Sequence, residues 1–153
     1  MVEYYFDDKE KDVELKRILD EWLGTPFKHH CGVKKLGCDC IHFAIRVFEE
    51  IGLMTYTKDM IPDYPRDWHL HNTREALMEA IFMHLDVESV KKDSRLLMNG
   101  DIILSHYGQA SSHVGILYGK HVYQALDGVG VRKIHFDDPK LNKQMKYIFR
   151  VCV

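Results

Sequence analysis

GCDCIHFAIRVFEEIG, residues 37–52, is the stretch whose reading decides the fold. Cys40, Phe43, Ala44, Val47, Phe48 and Ile51 recur at spacings of three and four residues, the apolar stripe of one helix face. His42, Arg46, Glu49 and Glu50 fall on the other face. Asp39 is a good N-cap type, and Gly52 stops the helix. Cys40 then sits in the first turn, where unpaired backbone N–H groups and the positive end of the helix dipole favour thiolate over thiol. A cysteine nucleophile needs that environment. A small apolar residue that merely opens the stripe looks the same in sequence, so the helix alone leaves both readings open. A nucleophile also needs a base, and the base needs a group to orient it.

HVGILYGKHVYQAL, residues 113–126, supplies candidates for both. Gly119 and Lys120 read as a two-residue hairpin loop, which pairs Tyr118 with His121 and sets Gly115 opposite Gln124. His113, Gly115, Val122, Gln124 and Leu126 then share a face. Gln124 lies diagonal to His113, about 7–8 Å away at the backbone and within reach of a long side chain, and Gly115 leaves room between them. The Gln carbonyl can accept from the imidazole and fix its tautomer, leaving the other ring nitrogen for Cys40.

Outward from these segments, apolar spacing predicts a first helix from about Asp8 to Leu23, ended by Gly24-Thr25-Pro26. A His-, Gly- and Lys-rich loop leads to Cys38. Residues 54–72, with Pro62 and Pro65, read as an irregular excursion, and a third helix is expected near Thr73–Leu85. Short β-branched and aromatic runs at 101–106, 113–118, 121–126, 131–136 and 146–152 read as strands. Helices first and a strand meander afterwards predict one α+β domain over residues 1–153, with an antiparallel sheet of about five strands.

The whole chain has 153 residues, 46% hydrophobic and 29% charged, which fits one folded domain and argues against disorder. A net charge of −2 gives no support to nucleic-acid binding. No apolar run approaches a bilayer span, and the acidic start lacks the apolar core of a signal peptide, so synthesis in a reducing cytosol is expected. Ten His and four Cys raise the question of zinc. His29, His30, Cys31, Cys38, Cys40 and His42 cluster in sequence, but without the paired clips of structural zinc sites, and His42 points about 200° around the helix from Cys40. No metal or cofactor is therefore expected, and His29 and His30 are read either as solvated loop residues or as lining a cleft beside Cys40. His106 lacks a same-face partner and is set aside as a base.

WLGTPF, GCDC at a helix head, NGDIIL and HVGILYGKHVYQA, in this order, resemble the NlpC-type papain-like cysteine peptidases. The resemblance covers roughly residues 12–152. KHHCGVKKLGCDC, PDYPRDW and MHLDV resemble most the subgroup found in phage tails and gene-transfer agents. The resemblance implies a papain-like α+β fold with a nucleophile-bearing helix on an antiparallel sheet. It implies Cys40 as nucleophile, His113 as base and Gln124 as the third polar residue, with cell-wall peptides as substrate. Phage-tail proteins are the partners it implies, and a virion tail the location. Four positions depart from the family pattern. Phe27 replaces a Tyr, Ile41-His42 replaces the Ser-Gly after the cysteine, and Gln124 replaces the commoner His. In the family, the neighbourhood that includes Asp39 and Ile41 helps to hold the peptide's amino end, so these residues and Phe27 are candidates for the substrate cleft. The departures leave two other readings: a non-catalytic tail-assembly component, and an amidase or acyltransferase acting on another γ-glutamyl or lipid-linked substrate.

Overall fold

A computed structural model describes residues 2–58, 60, 81–93, 95–107 and 110–153. The first helix, α1, spans Lys9–Trp22, and its N-cap Asp8 accepts from the backbone N–H of Lys11. Leu15, Ile18, Leu19 and Trp22 form its buried stripe. The second helix, α2, spans Cys40–Glu50 and buries Phe43, Ala44, Val47 and Phe48. Both helices lie within a residue or so of the boundaries read from sequence. The expected third helix and the excursion fall largely outside the described residues; residues 81–84 are helical.

Strands β1 (Gly32–Val33) and β2 (Gly37–Cys38) form a small antiparallel pair within what reads as loop. Six further strands follow: β3 (Val87–Val90), β4 (Ile102–Tyr107), β5 (Ala110–Tyr118), β6 (His121–Leu126), β7 (Gly130–His135) and β8 (Met145–Val151). Among the described residues they form one sheet in the order β3-β8-β4-β5-β6-β7, every pair antiparallel. The α+β prediction holds. The sheet gains β3, a four-residue edge strand with no clean alternation, and β8 inserts between β3 and β4. A short helix, α3 (Pro139–Gln144), precedes β8.

Side-chain alternation splits the sheet into two apolar faces. Ile102, Leu104, Val114, Ile116, Tyr123, Ala125 and Phe149 pack with the buried stripes of α1 and α2. Ile103, Leu117, Val122 and Ile148 pack with Phe136, Leu141 and Met145 on the other side. Carboxylates of α1 fasten the first layer. Tyr118 donates to Asp12 Oδ2 at 2.8 Å and Tyr123 to Asp20 Oδ1 at 2.7 Å, while Trp22 Nε1 donates to Glu50 Oε1 of α2 at 2.9 Å. These contacts tie α1 to β5 and β6 and to the last residue of α2. Among the described residues no helix is long and apolar enough to cross a membrane.

Candidate active site

Asp39 caps α2 as its residue type predicts: Oδ1 accepts from the backbone N–H of His42 at 2.9 Å. The same oxygen lies 2.7 Å from His42 Nδ1, and Oδ2 accepts from the backbone N–H of His30 at 2.7 Å. Both carboxylate oxygens thus tie the preceding loop to the helix head. Further bonds fix that loop: Lys28 N–H to the Cys38 carbonyl and Cys38 N–H to the Pro26 carbonyl, both 3.0 Å, and Asp39 N–H to the Cys31 carbonyl at 3.1 Å. Phe27 is half-buried and bridges to Cys38 in parallel.

His42 corrects the sequence reading. It is expected on the polar face, yet it is only 2% exposed. The β1–β2 pair folds across this side of α2. A Cβ on Gly32 would lie 3.0 Å from the Cβ of His42, so only glycine fits there without a shift, and Arg46 Nε donates to the Gly32 carbonyl at 3.0 Å. The hairpin, unseen in sequence, turns a solvent face into an interior one. The sequence did carry a signal: Asp-x-x-His places a ring donor opposite the N-cap carboxylate, as Glu reaches back in a capping box.

Cys40 opens α2 and is partly buried. Burial, then the Asp39 carboxylate, push its thiol up to about 12, against the pull of the backbone N–H groups of Val114, Ile41 and Cys40 itself. The helix-start N–H groups act on the sulfur as the sequence predicts, but dehydration and the neighbouring negative charge outweigh them. The thiol lies within reach of the Val114 backbone N–H on β5, the residue that follows His113 in sequence. Cys38, buried within the loop, is pushed up to about 12 chiefly by burial.

On the strands, β5 and β6 keep the two-residue loop, with Tyr118 opposite His121 and Ile116 opposite Tyr123. His113 Nε2 lies 2.8 Å from Gln124 Oε1, both side chains being buried. The Gln carbonyl only accepts, so the bond places the proton on Nε2 and leaves Nδ1 as the ring's acceptor. A Cβ on Gly115 would lie 2.6 Å from Val122 Cγ1 and 3.3 Å from Gln124 Cβ. Its absence is what lets the Gln side chain lie across the strand pair toward His113. The structure therefore brings His113 and Gln124 together, and sets Cys40 against the residue that follows His113. Ile41 is buried beside them, whereas His29 stands farther out, its ring 6.1 Å from that of His30.

The comparisons with known proteins agree at the level of fold. An NlpC/P60 family protein from Bacillus cereus ATCC 10987 aligns with 90% of this chain and 39% of its own length, at a TM-score of 0.58 and 20% identity. A protein from Staphylococcus aureus subsp. aureus Mu50, described as similar to a lipoprotein of the NLP/P60 family, aligns with 94% of this chain and 42% of its own, at a TM-score of 0.60 and 17% identity. The chain spans about two fifths of the length of these structures. No family model and no curated protein matches the sequence. The fold is the papain-like fold of NlpC/P60 structures.

Proposed function

We propose that this domain is a cysteine peptidase that hydrolyses amide bonds in cell-wall peptides and works from a phage-type tail. The hydrogen bond between His113 Nε2 and Gln124 Oε1 carries this reading, because it aligns a base in one tautomer beside the strand against which Cys40 is seated. The Sγ proton of Cys40 passes to His113 Nδ1, and the thiolate attacks the carbonyl carbon of the scissile amide. The backbone N–H of Cys40 supports the oxyanion. His113 returns the proton to the departing amine, leaving a thioester, which a water deprotonated by the same ring then hydrolyses. Gln124 touches no reacting atom and acts by positioning. Its replacement by Ala is expected to lower kcat roughly 10- to 100-fold, with KM little changed. Steady-state assays on defined muropeptides, with products read by mass spectrometry, check this.

The raised thiol favours a second reading, a tail component that keeps the fold without the chemistry. The two differ in alkylation. On the peptidase reading, the proton that passes from Cys40 to His113 leaves an imidazolium whose charge offsets burial and Asp39, so iodoacetamide should label Cys40 at pH 6 faster than a free thiol, and His113→Ala should remove this advantage. Labelling that rises only above about pH 9, as for an unassisted thiol, would instead establish the non-catalytic reading. A digest of purified peptidoglycan separates the peptidase from an amidase or acyltransferase by the bond that is cut.

A further inference from the structure

We propose that His30, Asp39 and His42 form a binding site for a divalent transition-metal ion of the zinc class. One donor atom from each side chain lies within 4.8 Å of the others. Two ligands on a tetrahedral zinc with bonds of about 2.0–2.1 Å stand about 3.4 Å apart, so closure needs shifts of about an ångström. Two imidazoles and a carboxylate are a donor set that zinc accepts, with a fourth position left for water. The sequence argument against zinc rested on the missing paired clips and on His42 pointing away from Cys40. The fold assembles a different set, taken from the loop, the N-cap and the first turn of α2.

Three features of the site are already built. Asp39 and His42 are 3% and 2% exposed, so neither has to be withdrawn from bulk water. Asp39 Oδ1 already lies 2.7 Å from His42 Nδ1, so two of the three side chains are held together. His30 takes a left-handed backbone at φ 56°, uncommon for a residue with a Cβ, and its ring packs edge-on to that of His42 with centroids 5.0 Å apart. Strained backbone of this kind persists where the surroundings enforce it, and it concentrates at ligand clamps. A cation here would also offset the cost of burying the Asp39 carboxylate. It would pin the loop that carries His30 to the head of α2, one residue from Cys40. The assignment does not depend on the peptidase reading.

The test uses the full chain, stripped with a chelator and titrated with Zn²⁺ against a chromophoric competitor. One zinc per chain is expected, with a higher Tm at excess metal. His30→Ala, on the loop, is expected to weaken binding at least tenfold while the protein stays folded, and Asp39→Asn and His42→Gln should do the same. Co²⁺ in place of zinc should give visible bands of a nitrogen and oxygen site without a thiolate charge-transfer band. No stoichiometric binding, unchanged affinity in His30→Ala, or a thiolate band that Cys31→Ser or Cys38→Ser removes would each overturn the assignment.

Discussion

Cys40→Ala is expected to abolish hydrolysis of muropeptides, lowering kcat by at least about 10³-fold, while the domain stays folded. The size follows from the proposed chemistry: without sulfur there is no nucleophile and no acyl-enzyme, and a base aimed at an empty position has nothing to deprotonate. The fold should tolerate the change because Ala is the best helix former, Cys40 is small and only partly buried, and the N-cap bonds of Asp39 do not involve its side chain. Far-UV circular dichroism and Tm should therefore match the parent. His113→Ala should cost nearly as much, and the double variant little more than either, since residues that act as a unit lose their effect together. Hydrolysis that persists in Cys40→Ala would end the peptidase mechanism, and additive losses would show that Cys40 and His113 do not act as one device.

What the sequence made legible is what local periodicity encodes. The Asp39 cap and the α2 stripe lie within twelve residues, and the β5–β6 register follows from a two-residue loop, so the diagonal between His113 and Gln124 could be read directly. Where long-range packing decides, the reading stops. β8 enters between β3 and β4, and no local pattern in residues 145–151 says which neighbours they will take. The burial of His42 depends on a β1–β2 pair of two residues per strand, too short for an alternation signal. The thiol of Cys40 shows the same division. The helix start was legible and favours thiolate, whereas the burial that pushes the other way belongs to the assembled core.

Asp101→Ala is expected to cost about 3–5 kcal/mol of stability, because it breaks a buried ion pair from one side. Asp101 is fully buried. Its Oδ1 accepts from Arg150 Nε at 2.9 Å, and its Oδ2 accepts from Arg150 Nη2 and from the Met98 backbone N–H, each at 2.9 Å. With the carboxylate gone, Arg150, whose side chain is 12% exposed, keeps its charge and is left with the Leu96 carbonyl, 2.7 Å from Nη2, and the Tyr4 ring, 5.2 Å from the guanidinium carbon. A cavity and an unanswered backbone donor at Met98 add to the loss. For a domain of this length the deficit corresponds to a fall in Tm of roughly 10 °C. Asp101→Asn keeps an acceptor for Met98 but not the charge, and should fall between. Lys16→Ala is the control. Its pair with Asp20 at 2.6 Å spans one turn of α1 with both side chains well exposed, and such pairs are worth about 0.3–0.5 kcal/mol. If Asp101→Ala melts no earlier than Lys16→Ala, the pair does not hold the sheet. The expected result ties stability to the site through one strand: Asp101 leads into β4, β4 pairs along β5 from Ile116 to Ala110, and His113 lies within that register opposite Ser105. Loosening the start of β4 therefore loosens the backbone that aims the imidazole, so Asp101→Ala should lose activity on warming before it loses helix content.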